Sequence, residues 1–543
     1  MLKKNDIVKL GIENCTLQGS GVGRYDGLAV FVPMTARGDE IEAHILKVKS
    51  NCAFAKVHSV IKPSPDRTEP DCPAYAKCGG CAFRHIDYET ELKIKQRFVV
   101  DCFKRIGGID IEPEPIIAAA GRSGYRNKAQ FPVEKSENGL KIGFFSPHSH
   151  RVVECRNCPL QPAEFENILN AFEQYAVKNN ITVYDETAHS GLLRHICVRK
   201  AAATGETMVC AVINGGALPR ENELVEALTR CDSSIKSIVI NINKEKTNVI
   251  FGKTCRNLYG GGYIEDVLCG CKFRISMLSF YQVNPAQAEK LYDKAAQYAG
   301  LSGKETVLDL YCGTGTIGLT MAKKAKETIG VEIVPQAVED AKVNALLNSA
   351  VNARFICADA SEAAEKLEKD GVKPDVVILD PPRKGCSADV LDTAARMNPG
   401  KIVYISCDPA TLARDCAVLE KLGYKVGAVC PVDMFPACGH VETVALLVKL
   451  PPDDVIKVKL DVSELPVSIH DGDATYPEIK AYVEKQFGLK VSSLYISQIK
   501  RKFGLTVTDS YNKPKSDNSR QPICPPDKEK AIAEALRYFK MID

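Results

Sequence analysis

The sequence predicts an α/β protein whose second half is an open, largely parallel sheet with helices on both faces. Three observations predict it. Beyond residue 300, short apolar runs alternate with amphipathic stretches of helical length. The first run, LDLYCGTGTIGL at residues 308–319, ends in an acid and a glycine pair before a helix-like pattern. A strand feeding a helix through a tight cofactor-sized turn has that form. The later runs also end in polar, chemistry-bearing residues, and in such sheets ligands sit beyond the carboxyl ends of the strands.

The chain has 543 residues, 45% hydrophobic and 26% charged, the balance of a globular protein of three or four domains. No run of about 18 apolar residues is present, so no membrane contact is expected. The opening MLKKNDIVKLGIENC lacks an apolar signal core, so a cytoplasmic location is expected. A net charge of +3 requires any nucleic-acid binding to come from local basic patches. Without export, the 22 cysteines divide among metal or cluster ligands, a catalytic thiol and apolar filler.

Residues 1–60 read as a small β-barrel. Strand-like runs at Val8–Ile12, Leu28–Val32 and Asp39–Ile45 are punctuated by Gly19, Gly21, Gly23 and Gly27. The pattern GxGxGR-x4-VFVPxxxxGD, Gly19 through Asp39, resembles the TRAM domain, an RNA-binding barrel. Residues 61–70 read as a linker. CPAYAKCGGC then sets Cys72, Cys78 and Cys81 in ten residues, with Cys155 and Cys158 as candidate partners. Sulfur-only ligation suits an iron–sulfur cluster or zinc. A helix is expected from about 90, stopped at Gly107-Gly108, with Lys93, Lys95, Arg97, Lys104 and Arg105 as its solvated face. Tyr125, Arg126, Asn127 and Lys128 are candidates for RNA contact by stacking and phosphate pairing.

From 263 the character changes. Asn284-Pro285 opens a helix that runs to Gly300. Strands are expected at Val307–Tyr311, Thr328–Glu332, Ala353–Cys357, Asp375–Leu379 and Lys401–Ile405. Glu332 ends the second, 19 residues beyond Gly313, an offset that suits a ribose hydroxyl pair. Asp359 and Asp380 close later strands. Strand ends so rich in carboxylate would repel a pyrophosphate and suit a cationic sulfonium cofactor, which points to S-adenosylmethionine. Cys407 follows the fifth strand in a proline-bearing turn and reads either as a nucleophile or as a buried thiol. Glu442, at the mouth of a last apolar strand, reads as surface or as a general base.

SFYQVN, LDLYCGTGTIGL, GVEIVPQAVEDA, LDPPRKG, SCDPATLARD and GHVETV occur in order. In these motifs the chain resembles the RNA uracil-5-methyltransferases, in particular the 23S ribosomal RNA branch, over residues 5–450. The resemblance implies a Rossmann-like, S-adenosylmethionine-dependent methyltransferase domain (263–450), a TRAM/OB-like barrel (1–60) and a mixed α+β, iron–sulfur-binding central RNA-binding domain (61–262). It implies that Gln282, Tyr311, Glu332 and Asp380 contact the cofactor, that Cys407 is the nucleophile and that Glu442 is the base. It further implies that Phe280 stacks near the target base and that Cys72, Cys78, Cys81 and Cys158 hold a [4Fe–4S] cluster. The expected substrate is 23S rRNA, because tRNA-directed relatives generally lack barrel and cluster. A monomer is expected. The alternatives are a tRNA enzyme, one acting on cytosine, and a noncatalytic RNA-binding or redox-sensing protein. Residues 451–543 lie outside the resemblance. They read as a linker and a small helical extension with helices at 476–485, 492–503 and 527–541, a loose segment at 510–521, and a basic Lys500-Arg501-Lys502 end that fits a helix-turn-helix or a docking extension.

Overall fold

The computed structural model describes residues 2–137, 139–451, 474–503, 505, 524–539 and 541–542. The chain forms two compact units, Met1–Val455 and Ile456–Asp543.

Five strands open the first unit: β1 (Ile7–Cys15), β2 (Ser20–Tyr25), β3 (Leu28–Pro33), β4 (Glu40–Val48) and β5 (Cys52–Lys62). They close a barrel in the order β1-β2-β3-β5-β4. Alternation along β1 turns Val8, Leu10 and Ile12 inward. The expected linker is not loose. Asp39, buried in the barrel wall, accepts from Ser64 N at 2.8 Å and from Arg67 Nε at 2.8 Å, which clips the segment down. Gly19, at φ +77°, brings the β1–β2 turn so close to the cysteine segment that a Cβ would lie 2.3 Å from Ala82 O.

Helix α1 (Tyr88–Cys102) begins at Asp87, whose side chain accepts from Thr90 N, and ends in a single π-helical turn closed by Gly108 at φ +67°. Its expected solvated face needs a correction. Lys95 is fully buried. Its Nζ donates to Glu91 Oε1 and Asp433 Oδ1, each at 2.6 Å, and to Phe435 O at 3.0 Å. Tyr88 Oη donates to Asp433 Oδ2 at 2.7 Å, and Glu91 accepts from Ala437 N at 2.7 Å. The helix therefore clamps residues 433–437 through charges that only mutual pairing makes tolerable.

The central sheet holds β6 (Lys128–Ser136), β7 (Gly139–Phe145), β8 (Val152–Glu154), β9 (Leu193–Lys200), β10 (Thr207–Ile213), β11 (Ile235–Ile242) and β12 (Thr254–Tyr259). The order is β12-β11-β10-β9-β6-β7-β8. Helices α2 (Phe165–Lys178) and α3 (Glu221–Cys231) bury their apolar stripes on one face, where Phe131, Ile196 and Val198 meet Leu169, Phe172 and Leu228. A hairpin of β13 (Tyr263–Leu268) and β14 (Cys271–Ser276) leads into α4 (Pro285–Ala299), capped by Asn284 as the sequence predicts.

The open sheet follows. Its strands are β15 (Thr306–Asp309), β16 (Glu327–Glu332), β17 (Ala353–Cys357), β18 (Val376–Leu379), β19 (Lys401–Ser406), β20 (Tyr424–Val432) and β21 (Glu442–Lys449). Between them run α5 (Thr316–Ala322), α6 (Pro335–Leu347), α7 (Ala360–Lys369), α8 (Ala388–Arg396) and α9 (Pro409–Lys421). The order is β17-β16-β15-β18-β19-β21-β20, with β15 to β19 parallel and β20 and β21 antiparallel. The five expected strands agree to within two residues, and β20 is an addition. Two apolar clusters cover the two faces.

The second unit packs α10 (Tyr476–Phe487), α11 (Ser493–Lys502) and α12 (Pro526–Tyr538) around Ile479, Val483, Ile496, Ile532 and Leu536. The expected loose segment at 510–521 lies outside the described residues, as does nearly all of the expected linker.

Candidate active site

The carboxyl edge of the parallel strands gathers the predicted residues. β15 runs straight into the glycine turn, and Asp309 at its end is 1% exposed, with Oδ2 unpartnered. Burial pushes its carboxyl up to about 7. The turn needs φ +54° at Gly313 and +82° at Gly315, conformations that glycine adopts at little cost. Gly313 N donates to Glu332 Oε2 at 3.1 Å, and Val334 N to Oε1 at 2.8 Å. This ties the end of β16 to the turn. Cys312 is buried, its Sγ 2.8 Å from where a Cβ on Gly330 would stand, so it packs the loop. The Tyr311 hydroxyl is half-buried, and burial together with Cys386 and acidic neighbours raises its pKa.

Asp380 follows β18. Burial, and then the charges of Glu442 and Asp309, push its carboxyl well up. Cys407 lies between β19 and α9. Ser406 Oγ accepts from Asp408 N at 3.1 Å, and Asp408 caps α9 by accepting from Ala410 N at 2.9 Å. The thiol is thus fixed at the positive end of a 13-residue helix, which favours a thiolate. Burial and then Glu442 raise the thiol to about 11, while Arg383 hydrogen-bonds to it and works the other way. Glu442, 4% exposed at the start of β21, is pushed by burial up to about 7, again with Arg383 opposing. A thiol and a carboxyl raised toward neutrality therefore lie near each other, with Asp380 and Arg383 beside them.

Arg383 is the residue that sequence reasoning left without a role. It follows Asp380-Pro381-Pro382, so the strand-end logic that singled out Asp380 applies to it equally. Gln282 is nearly buried, and its carbonyl accepts from Asn127 Nδ2 at 3.1 Å. Phe280 is 68% exposed between Ser279, which donates to Asp340 Oδ2 at 2.6 Å, and buried Tyr281, so its ring is free to stack.

The cysteines form a second site. Cys72, Cys78, Cys81, Cys155 and Cys158 line one cavity of about 100 Å³, with Arg84, Arg126 and Phe144. The proximity of Cys155 and Cys158 raises the first thiol and lowers the second to about 7. Cys81 pairs instead with Cys438, a thiol that sequence reasoning missed, four residues ahead of Glu442. Among the described residues, no three Cys, His, Asp or Glu side chains converge as a preformed ion site. Tyr125 and Arg126, expected at an RNA surface, turn inward. Tyr125 Oη donates to Pro436 O at 2.9 Å, and Arg126 donates to Cys438 Sγ at 3.4 Å. Lys128 lies over the Phe251 ring, and burial lowers it to about 8.

The sequence model of the tRNA (uracil-5-)-methyltransferase family matches residues 263–450, and that of the TRAM domain matches residues 4–58. An uncharacterized RNA methyltransferase of Clostridium tetani is 44% identical over 446 residues, 82% of this chain and 97% of its own. Another, from Halalkalibacterium halodurans, is 44% identical over 447 residues, 82% of this chain and 98% of its own. The Pyrococcus abyssi tRNA (uracil-54, C5)-methyltransferase, crystallised with S-adenosyl-L-homocysteine, superposes with a TM-score of 0.67. It is 28% identical and covers 81% of this chain and 99% of its own. With strand-end acids around a glycine turn, a TRAM barrel and relatives matched over nearly their whole length, the chain belongs to the S-adenosylmethionine-dependent RNA uracil-5-methyltransferases.

Proposed function

We propose that the protein methylates carbon 5 of a uridine in 23S ribosomal RNA, with Cys407 as nucleophile and Glu442 as base. The observation that carries the reading is a thiol one residue ahead of the N-cap of α9, close to a buried carboxyl raised to about 7. Carbon 5 of uracil is a poor nucleophile. The Cys407 thiolate adds to carbon 6, forming an S–C bond and pushing the ring electrons into an enolate. S-adenosylmethionine, when bound, would supply the electrophilic methyl group that carbon 5 takes up, its sulfur leaving as the neutral thioether, and Gln282, Tyr311, Glu332 and Asp380 would hold it against the cleft. Glu442 then takes the proton from carbon 5, the ring double bond re-forms, and Cys407 leaves as thiolate. Arg383 steadies the thiolate against the acids around it. The target base must leave its stack to reach Cys407, and Phe280 offers the replacement surface.

Cys72, Cys78, Cys81 and Cys158 hold a [4Fe–4S] cluster in this reading. The donor chemistry fits, since only sulfur ligands line the cavity and no carboxylate or imidazole does. The cluster organises the RNA-binding half, and the reaction needs no redox step. Iron and sulfide analysis of anaerobically purified protein tests it against zinc. The enzyme acts as a cytoplasmic monomer.

A tRNA substrate is the second reading, and one observation favours it. The Pyrococcus abyssi enzyme named for tRNA covers 81% of this chain, far more than residues 263–450 alone, so barrel and central domain do not by themselves select ribosomal RNA. Mapping 5-methyluridine in rRNA and tRNA from a deletion strain decides. Loss from 23S rRNA alone supports the first reading, and loss from tRNA alone overturns it.

A further inference from the structure

The central sheet carries a polar cavity that the methylation chemistry does not use. It measures about 560 Å³, within the roughly 300–1,000 Å³ typical of small-ligand sites. His195, on β9, forms part of its wall. The imidazole is 5% exposed, yet neither ring nitrogen has a hydrogen-bond partner. Burial holds it neutral by lowering its pKa to about 4, so at neutral pH one nitrogen donates and the other accepts. A buried, doubly unpartnered imidazole is rare in a folded chain and points to an absent ligand. Phe145 meets the His195 ring edge-on at 6.4 Å between centroids, and Tyr184 lines the same cavity.

The charges narrow the ligand. Glu134, Asp185 and Glu186 line the cavity together with Lys135 and Arg194, so its walls lack the positive excess that a phosphate calls for. A flat, neutral heterocycle that meets one imidazole nitrogen with an edge donor or acceptor, and lays its face on the aromatic walls, fits this lining. Position adds a second argument. Residues alternate along β9, so His195, Cys197 and Arg199 share one face. Arg199, at the far end, donates to Ser276 O at 2.8 Å and to Ser279 O at 2.9 Å, directly beside exposed Phe280. Four residues of strand, about 13 Å, therefore separate the cavity from the residue that supports the Phe280 loop. The geometry points to a second nucleobase pocket at His195, which takes a base of the same RNA strand as the target uridine. The inference rests on RNA being the substrate and goes beyond the reading of the cleft.

Two measurements on the full-length protein test it. The first is photocrosslinking to 23S rRNA and tRNA transcripts carrying 4-thiouridine and 6-thioguanosine, with mass-spectrometric mapping. Crosslinks within residues 145–152 or 183–195 are expected. Adducts that form elsewhere and never in those segments overturn the pocket. This readout needs no methyl transfer, so crosslinks in the pocket together with an inert enzyme would sink the methylation reading and leave the pocket standing. The second compares His195→Phe, which fills the space without polar atoms, with His195→Gln, which keeps a donor and an acceptor. For the RNA that wild type methylates, His195→Phe should raise KM about tenfold with kcat and S-adenosylmethionine affinity unchanged. His195→Gln should restore KM to within about twofold. Equal KM in wild type and His195→Phe, or equal loss in both variants, overturns the assignment.

Discussion

Cys407 and the cysteine cavity use the same side chain in opposite surroundings. Cys407 stands among carboxylates, with one guanidinium and a helix N-terminus to favour its thiolate. The cavity thiols stand among one another, Cys72, Cys78, Cys81, Cys155 and Cys158 lining one space, with Cys438 packed behind Cys81 and Cys158. An isolated thiol that can be charged and later leave is equipped for attack. Thiols gathered around one small cavity are equipped to share a ligand. Neighbours, and not exposure, separate the roles, because Cys407, Cys72, Cys78, Cys81 and Cys158 are all half-buried.

The largest expected effect separates the two regions outright. Cys407→Ala should lower methyl transfer by at least about 10⁴-fold and abolish the covalent adduct with 5-fluorouridine RNA, with iron content unchanged. An adduct in that variant would move the nucleophile elsewhere. Glu442→Gln should slow turnover roughly 10²–10⁴-fold and let a covalent enzyme–RNA species accumulate on denaturing gels. Normal turnover would put the base elsewhere.

The clamp between the regions comes next. Lys95→Met leaves Asp433 a buried carboxylate with only the Tyr88 hydroxyl on it, and Glu91 with Arg122 as its one cation at 3.0 Å, and should cost about 3–5 kcal/mol in denaturant unfolding. A neutral outcome would mean that residues 433–437 hold their place without it. The Glu442 carboxyl also carries a pH signature. Its pKa rises from 4.5 to about 7 on folding, so below 4.5 it is protonated in both states and costs nothing. Between those values the folded state keeps a proton that the unfolded state has lost, and above 7 the buried charge destabilises by about 3 kcal/mol. Glu442→Gln should therefore melt increasingly above wild type as pH rises from 4.5 to 8, and a constant Tm difference would refute the shift. The smallest effect concerns the third kind of thiol. A Cβ at position 330 would lie 2.7 Å from Phe355 and 2.8 Å from Cys312 Sγ, so Gly330→Ala should cost about 1–3 kcal/mol, read as a lower Tm.

Much of the parallel sheet was legible because strand, glycine turn and helix cap are local signals. The strand at Ala353–Cys357 and the Asn284 cap agree residue for residue. The placement of Cys407 and Glu442 at strand ends was legible because each adjoins an apolar run. The charged face of α1 was misread. Lys93 and Lys95 look alike in sequence, but Lys93 pairs with Glu89 at the surface, and Lys95 has a partner 338 residues away. The Tyr125–Lys128 cluster failed for the same reason, since its partners lie in residues 436–438, on Gln282 and under Phe251. Local pattern tells a basic residue from an apolar one, but not a solvated charge from one with a distant acid.

The clamp of α1 on Asp433 also sets a timetable for synthesis. Lys95 leaves the ribosome 338 residues before its acid. At about 5–20 residues per second the wait is roughly 17–70 s. For that interval the helix carries Lys95 with Glu91 as its one acid, and Cys81 lacks Ala437 and Cys438, against which it packs in the finished fold. Thiols made early in synthesis are thus among the last enclosed. Alkylation of ribosome-bound chains stalled before residue 433 should label them fully, whereas chains released from the ribosome should resist.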